Sequence, residues 1–160
     1  MTPVLLIAAT IVALDQVTKA LALLGLVPGI PVPLIDGLLA LTLVLNPGLA
    51  FGLLAGLPPR WRWLIVALSL AALLVLVRVA VRLLTPGAPL DRLAVSLMFG
   101  GAVGNLIDRA RFGAVVDFID VYYRDWHWPA FNVADSAITV GVVVLALRLL
   151  ARPAPRPASG

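Results

Sequence analysis

The side chains able to do chemistry are few. All eight acidic residues are aspartate; there is no glutamate, no cysteine, one histidine (His127) and one lysine (Lys19). Without cysteine there is no disulfide, thiolate nucleophile or thiolate-held metal. A zinc hydrolase needs about three protein ligands, usually His, Cys or Glu, so neither a metal nor another cofactor is expected. A serine–histidine hydrolase would have to use His127, which sits between Trp126 and Trp128 with no Gly-x-Ser-x-Gly elbow in the chain. A serine–lysine dyad would need Lys19, already one helical turn from Asp15. Paired aspartates remain. Two carboxylates at close range do not both ionise easily and so share a proton. One acts as base on a water, and the other donates to the carbonyl oxygen under attack.

Composition does not say which aspartates pair, so the elements that carry them must decide. Hydrophobic residues make up 62% and charged residues 12%, with mean hydropathy +1.08. A soluble domain would be about 45–50% apolar and about 25% charged. A membrane protein of one domain is expected over residues 1–152. Its four transmembrane helices are placed at about residues 3–24, 61–84, 91–108 and 134–150, each near the ~20 apolar residues a span requires. Residues 153–160 are Pro-rich and expected to be a flexible tail. The net charge is +4, but Arg gathers at the ends of apolar runs rather than in a basic stripe, so no nucleic acid is expected.

Residues 37–57 are apolar and long enough to span, but Asn46-Pro47-Gly48 interrupts them with a turn signal. Leu41 to Leu45 suits a strand, so this outer segment reads as an extended hairpin or re-entrant piece; the rival is a fifth, kinked span. Gly25 to Asp36 reads as a Pro-rich loop, and Arg111 to Pro129 as a polar, aromatic interfacial stretch. Gly100 and Gly104 predict close packing of another helix on the third span.

With four spans, both termini lie on one side. Arg is denser in residues 78–92 and 148–160 than in 25–63 and 108–132, which puts the termini in the cytoplasm. Asp117, just past span three, and Asp135, at the start of span four, then meet at neighbouring helix ends near the outer face. Asp120 and Asp125 fall nearer the polar loop and are expected to be solvated or structural. From position alone, helix capping explains Asp117 and Asp135 equally well. Asp15 and Lys19 read as a buried ion pair, Asp108 as structural and His127 as interfacial.

Five blocks in order raise the specificity: Asp15-Gln16-Val17-Thr18-Lys19, Asn46-Pro47-Gly48-Leu49-Ala50-Phe51-Gly52, residues 100–109 ending in Gly104-Asn105-Leu106-Ile107-Asp108-Arg109, Val115-Val116-Asp117-Phe118-Ile119-Asp120, and Phe131-Asn132-Val133-Ala134-Asp135-Ser136. From end to end the chain resembles bacterial lipoprotein signal peptidases (signal peptidase II). The one departure is Pro47 after Asn46, where the family has a small residue.

The resemblance implies an intramembrane aspartic endopeptidase of the bacterial inner membrane. Its substrates would be prolipoproteins already carrying diacylglycerol, cut just before the lipidated cysteine. It further implies a small extracytoplasmic β-rich appendage between spans one and two. Asp117 and Asp135 match the catalytic pair; Asn46, Asn105, Arg109, Asn132, Asp15 and Lys19 match residues that shape the site or bind substrate. Phe51, Leu53 and Leu54 are expected to cover the scissile bond. A monomer in contact with membrane lipid is expected. Two other classes compete: a proton-relay transporter, whose acids would lie at several depths, and an assembly subunit whose acids only cap helices.

Overall fold

A computed structural model describes residues 2–49, 53–84 and 89–151. Phe51 and residues 153–160, which the sequence reading used as a cover and a tail, lie outside them. Among the described residues four helices are long and apolar enough to cross a membrane. They are α1 (Thr2–Gly25), α2 (Arg62–Leu84), α3 (Pro89–Phe112) and α4 (Val133–Leu150). Among the described residues no fifth span forms: residues 39–46 are a strand.

The helix that packs most is the least apolar. α3 lies against α4, α1 and α2, whereas α2 packs chiefly on α3 and leaves most of its surface to lipid. Enclosure by protein is what lets α3 hold Asn105 and Asp108 in its interior, since polar groups in a bilayer must face protein partners. α3 outruns the expected 91–108: Arg109 is tied to the Gly48 carbonyl, and the Gly113 N–H closes the last turn on the Arg109 carbonyl at 3.0 Å, while Ala110 to Phe112 are exposed.

Glycines set the spacing. A Cβ at Gly100 would stand 2.8 Å from the Ala8 carbonyl oxygen of α1. At Gly101 it would collide with the Ala134 carbonyl oxygen of α4, and at Gly104 with an Asp15 carboxylate oxygen. α1 and α4 therefore approach α3 at backbone distance, as small residues permit in membranes.

Consecutive spans run in opposite directions, so both long connections reach the same end of the bundle. There they form one antiparallel sheet in the order β1 (Val32–Ile35), β2 (Leu39–Asn46), β3 (Val115–Tyr123), β4 (Trp126–His127). The appendage expected between spans one and two supplies β1 and β2. The other half comes from residues read as an interfacial stretch. Val115 to Tyr123 is rich in β-branched and aromatic residues, a strand composition. Its first four residues are all buried, which erases the alternation that would have marked it. β1 likewise lies in the stretch read as a loop.

Beyond β4 the chain stays on β3. Phe131 N–H donates to the Ile119 carbonyl at 3.1 Å, and Ile119 N–H returns to Phe131 at 2.9 Å. That pairing delivers the first residue of α4 to the side of β3.

Gly101→Ala should lower stability by about 1–3 kcal/mol through overpacking of α3 on α4. Gly25→Ala, with open space around the new methyl, should change little. Unfolding midpoints in detergent micelles compare the two.

Candidate active site

Asn132 caps α4. Its side-chain oxygen accepts the Asp135 N–H at 2.9 Å, and the Asp135 carboxylate accepts the Asn132 N–H at 3.3 Å, a reciprocal capping box. The amide end of the same side chain donates to Asp117 Oδ1 at 2.7 Å. One fully buried asparagine thus joins both carboxylates. Asp135 does sit at a helix start, as the sequence suggested. Asp117 does not: it is a strand residue, the third of β3. The expectation of two helix ends misses this because Arg111 to Pro129 reads as an interfacial stretch rather than a strand.

Each carboxylate takes a second amide donor. Asn105 Nδ2 donates to Asp135 Oδ1 at 2.8 Å, and Asn46 Nδ2 to Asp117 Oδ2 at 3.1 Å. Asn46 is the last residue of β2, and its oxygen accepts the Gly48 N–H at 2.9 Å, forming the turn that Asn-Pro-Gly predicts. The donors named here are neutral. A neutral amide orients a carboxylate without the strong preference for the anion that a contacting cation imposes. Burial pushes the Asp117 carboxyl up from the ordinary 3.8 to about 7, and the neighbouring Asp135 charge pushes the same way. The Asn46 and Asn132 hydrogen bonds and the Lys19 charge pull against this.

The cations stand one step behind. Lys19 Nζ lies 2.8 Å from Asp15, 2.7 Å from Asp108 and 2.8 Å from the Asn105 side-chain oxygen. Lys19 is buried, and Asp15 and Asp108 with it. The expected Asp15–Lys19 pair is therefore part of a triad, and Asp108 belongs to it. Asp15 also accepts the Ala134 N–H of α4 at 2.9 Å. Arg109 donates to the Gly48 carbonyl at 2.8 Å and the Asn105 carbonyl at 3.3 Å, tying α3 to the turn after β2.

Gln16 was not singled out among the candidates. Its side-chain amide donates to Asp108 at 2.9 Å and to the Gly104 carbonyl at 3.2 Å. Only its place beside Asp15 hinted at this. Asp120, expected to be solvated, is buried and bonded to His127 Nδ1 at 3.0 Å; Asp125 is exposed. Among the described residues no cluster of acids and histidine has the form of a metal site.

Asp117 borders an open cleft of about 330 Å³, with Val44, Leu45, Pro47, Pro129 and Ala130 among its walls. An apolar trough with one carboxylate edge suits an extended, largely apolar chain.

Lipid-facing helices that gather buried carboxylates and amides beneath a small sheet define a membrane enzyme in architecture. Two solved bacterial membrane enzymes share the fold, both 31% identical. One has a TM-score of 0.81 and covers 100% of this chain and 94% of that one; the other has 0.77, with 96% of each covered. A family model described as signal peptidase (SPase) II matches residues 7–151. A lipoprotein signal peptidase of Desulforapulum autotrophicum is 47% identical over 155 residues, 94% of this chain and 93% of the relative. One from Syntrophotalea carbinolica is 49% identical over 143 residues, 89% and 88% respectively. The chain belongs to the signal peptidase II family.

Lys19→Met should be strongly destabilising, by about 3–5 kcal/mol, because it strands two buried carboxylates. Thermal unfolding in detergent measures this. An unchanged midpoint would mean that Asp15 and Asp108 do not rely on the ammonium.

Proposed function

We propose that this lipoprotein signal peptidase is an aspartic endopeptidase in which Asp117 and Asp135 do the chemistry. The observation that carries the reading is the Asn132 bridge: one residue donates to both carboxylates, its side-chain amide to Asp117 and its backbone N–H to Asp135, with neutral amides on their other oxygens. The pair holds one proton. The ionised carboxylate takes a proton from water as the water oxygen attacks the scissile carbonyl. The protonated partner donates to the carbonyl oxygen, giving a tetrahedral diol. Collapse returns a proton through the pair to the departing nitrogen. The C–N bond breaks, leaving a carboxylic acid on one product and an amine on the other, with one proton again on the pair. No metal or covalent intermediate enters this route.

The substrate is a prolipoprotein bearing diacylglycerol on a cysteine, cut on the N-terminal side of that cysteine. Its acyl chains keep the scissile bond at the level of the lipid surface, where the sheet end of the bundle lies. That end faces outward from the bacterial inner membrane, with both termini cytoplasmic. The apolar cleft beside Asp117 receives the chain. Leu53 and Leu54, beyond the Asn46 turn, are exposed apolar side chains suited to covering it. Asn105, Asn132 and Asn46 orient the carboxylates, and Asp15, Lys19 and Arg109 shape the frame around them. The chain works as one membrane-embedded monomer among lipids, with no nucleic acid partner.

Asp117→Asn and Asp135→Asn should each abolish conversion of a lipidated precursor, read as a mobility shift, while membrane insertion persists. Asp120→Asn, which loses only the His127 contact, should cleave at close to the normal rate. Full activity in either of the first two variants overturns the assignment.

Activity should also depend on pH in both directions. As the pH rises through about 7 Asp117 loses its proton, the pair carries two charges, and the rate should fall. At low pH both carboxyls are neutral, no base remains, and the rate should fall again. A profile flat from acid to strongly alkaline pH would contradict the shared proton.

A further inference from the structure

Asp108 lies at the end of α3, fully buried, and nothing in the proposed chemistry uses it. Its Oδ2 accepts two donors: Lys19 Nζ at 2.7 Å and the backbone N–H of Val116 at 3.1 Å. Its Oδ1 accepts Gln16 Nε2 at 2.9 Å. Val116 immediately precedes Asp117. We propose that Asp108 is a positioning residue for Asp117, acting through the Val116 peptide. The inference rests on reading Asp117 as a reacting carboxylate.

The strand's own hydrogen bonding shows why an outside acceptor is needed. N–H groups two residues apart on an extended strand point to the same edge. Phe118 N–H meets the Phe131 carbonyl at 3.0 Å on that edge. Two residues earlier no strand is left to receive Val116 N–H, because the chain after Phe131 has turned into α4. Val116 is fully buried, so water cannot substitute, and an orphaned N–H there is unfavourable. Asp108 takes the place of the missing strand. The carbonyl of Val116 accepts Asn132 Nδ2 at 3.3 Å, so the backbone is gripped on both sides of this residue. The anchor is charged and itself held by Lys19, which makes it stiffer than a neutral side chain would be.

The test compares Asp108→Asn with Asp108→Ala in the full chain, in micelles, on a lipidated precursor. Asparagine keeps an oxygen for Val116 and Lys19; turning the Gln16 carboxamide to accept its amide costs the Gly104 and Arg111 contacts but leaves the Val116 tether in place. Alanine keeps nothing. A misplacement of about 1 Å at a reacting group lowers rate by about 100-fold, so alanine should lose about that much in kcat with KM little changed, and asparagine less than about tenfold. Amide exchange at Val116 should quicken in the alanine variant and stay slow in the asparagine variant.

A wild-type kcat in the alanine variant, unchanged Val116 protection in it, or an asparagine variant as slow as alanine each overturn the proposal. If alanine fails to insert, the asparagine variant decides: slow turnover with Val116 still protected overturns it, and near-normal turnover upholds it. Val116 exchange reads the tether independently of the chemistry. Activity in Asp117→Asn would defeat the reading of the dyad and leave the exchange result standing.

Discussion

An ammonium group with no access to water governs this structure. Lys19 is enclosed inside a helical bundle, where a lone charge is tolerated only with close partners. Its partners come from α1 itself, as Asp15, and from α3, as Asp108 and Asn105. Those partners reach onward. Asp15 receives the N–H of Ala134 at the start of α4, and Asp108 receives the N–H of Val116 at the start of β3. The charge cluster therefore links the two elements that carry Asp117 and Asp135. Apolar packing among lipid-facing helices is weakly directional; this cluster supplies a fixed point that lipid contacts do not.

The arrangement also separates two electrostatic tasks. Asp15 and Asp108 touch the cation and serve as anions. Asp117 and Asp135 are held by side-chain and backbone amides, and Lys19 touches neither: it bonds Asn105, which in turn donates to Asp135. Direct contact with a cation would favour the ionised form and weaken a carboxylate as a base. In the proposed chemistry, distance and an intervening amide would leave the pair free to exchange a proton.

Features written in local spacing were legible in the sequence. Asp15 and Lys19 are four apart, so a helix must stack them. Asp135 stands just before an apolar run, where an acid at a helix start is expected; that Asn132 is the cap emerged only in the structure. The Asn46 turn followed from its own dipeptide chemistry. Features that depend on partners far along the chain were not legible from periodicity. Asp117 sits on a strand whose neighbours are residues 44 and 131, and only that pairing reveals why Val115 to Phe118 are buried on both faces. Asp108 looked like one more helix-end acid because its partners, Lys19 and Val116, lie on other elements. α3 reads short because Arg109 and Arg111 end the apolar run, whereas the backbone stays helical to Phe112.

The capping box has an evolutionary corollary. The Asp135 carboxylate closes the first turn of α4 with one oxygen and stands beside Asp117 as a member of the pair. On the proposed chemistry, loss of the acid would fray a membrane helix at its entry point as well as remove a reacting group. Selection on folding and selection on turnover thus act on the same atoms, and random drift at this position is penalised twice. A carboxamide there keeps an oxygen for the helix, so on the same reading a single codon change would separate the two roles, sparing the fold and silencing the chemistry.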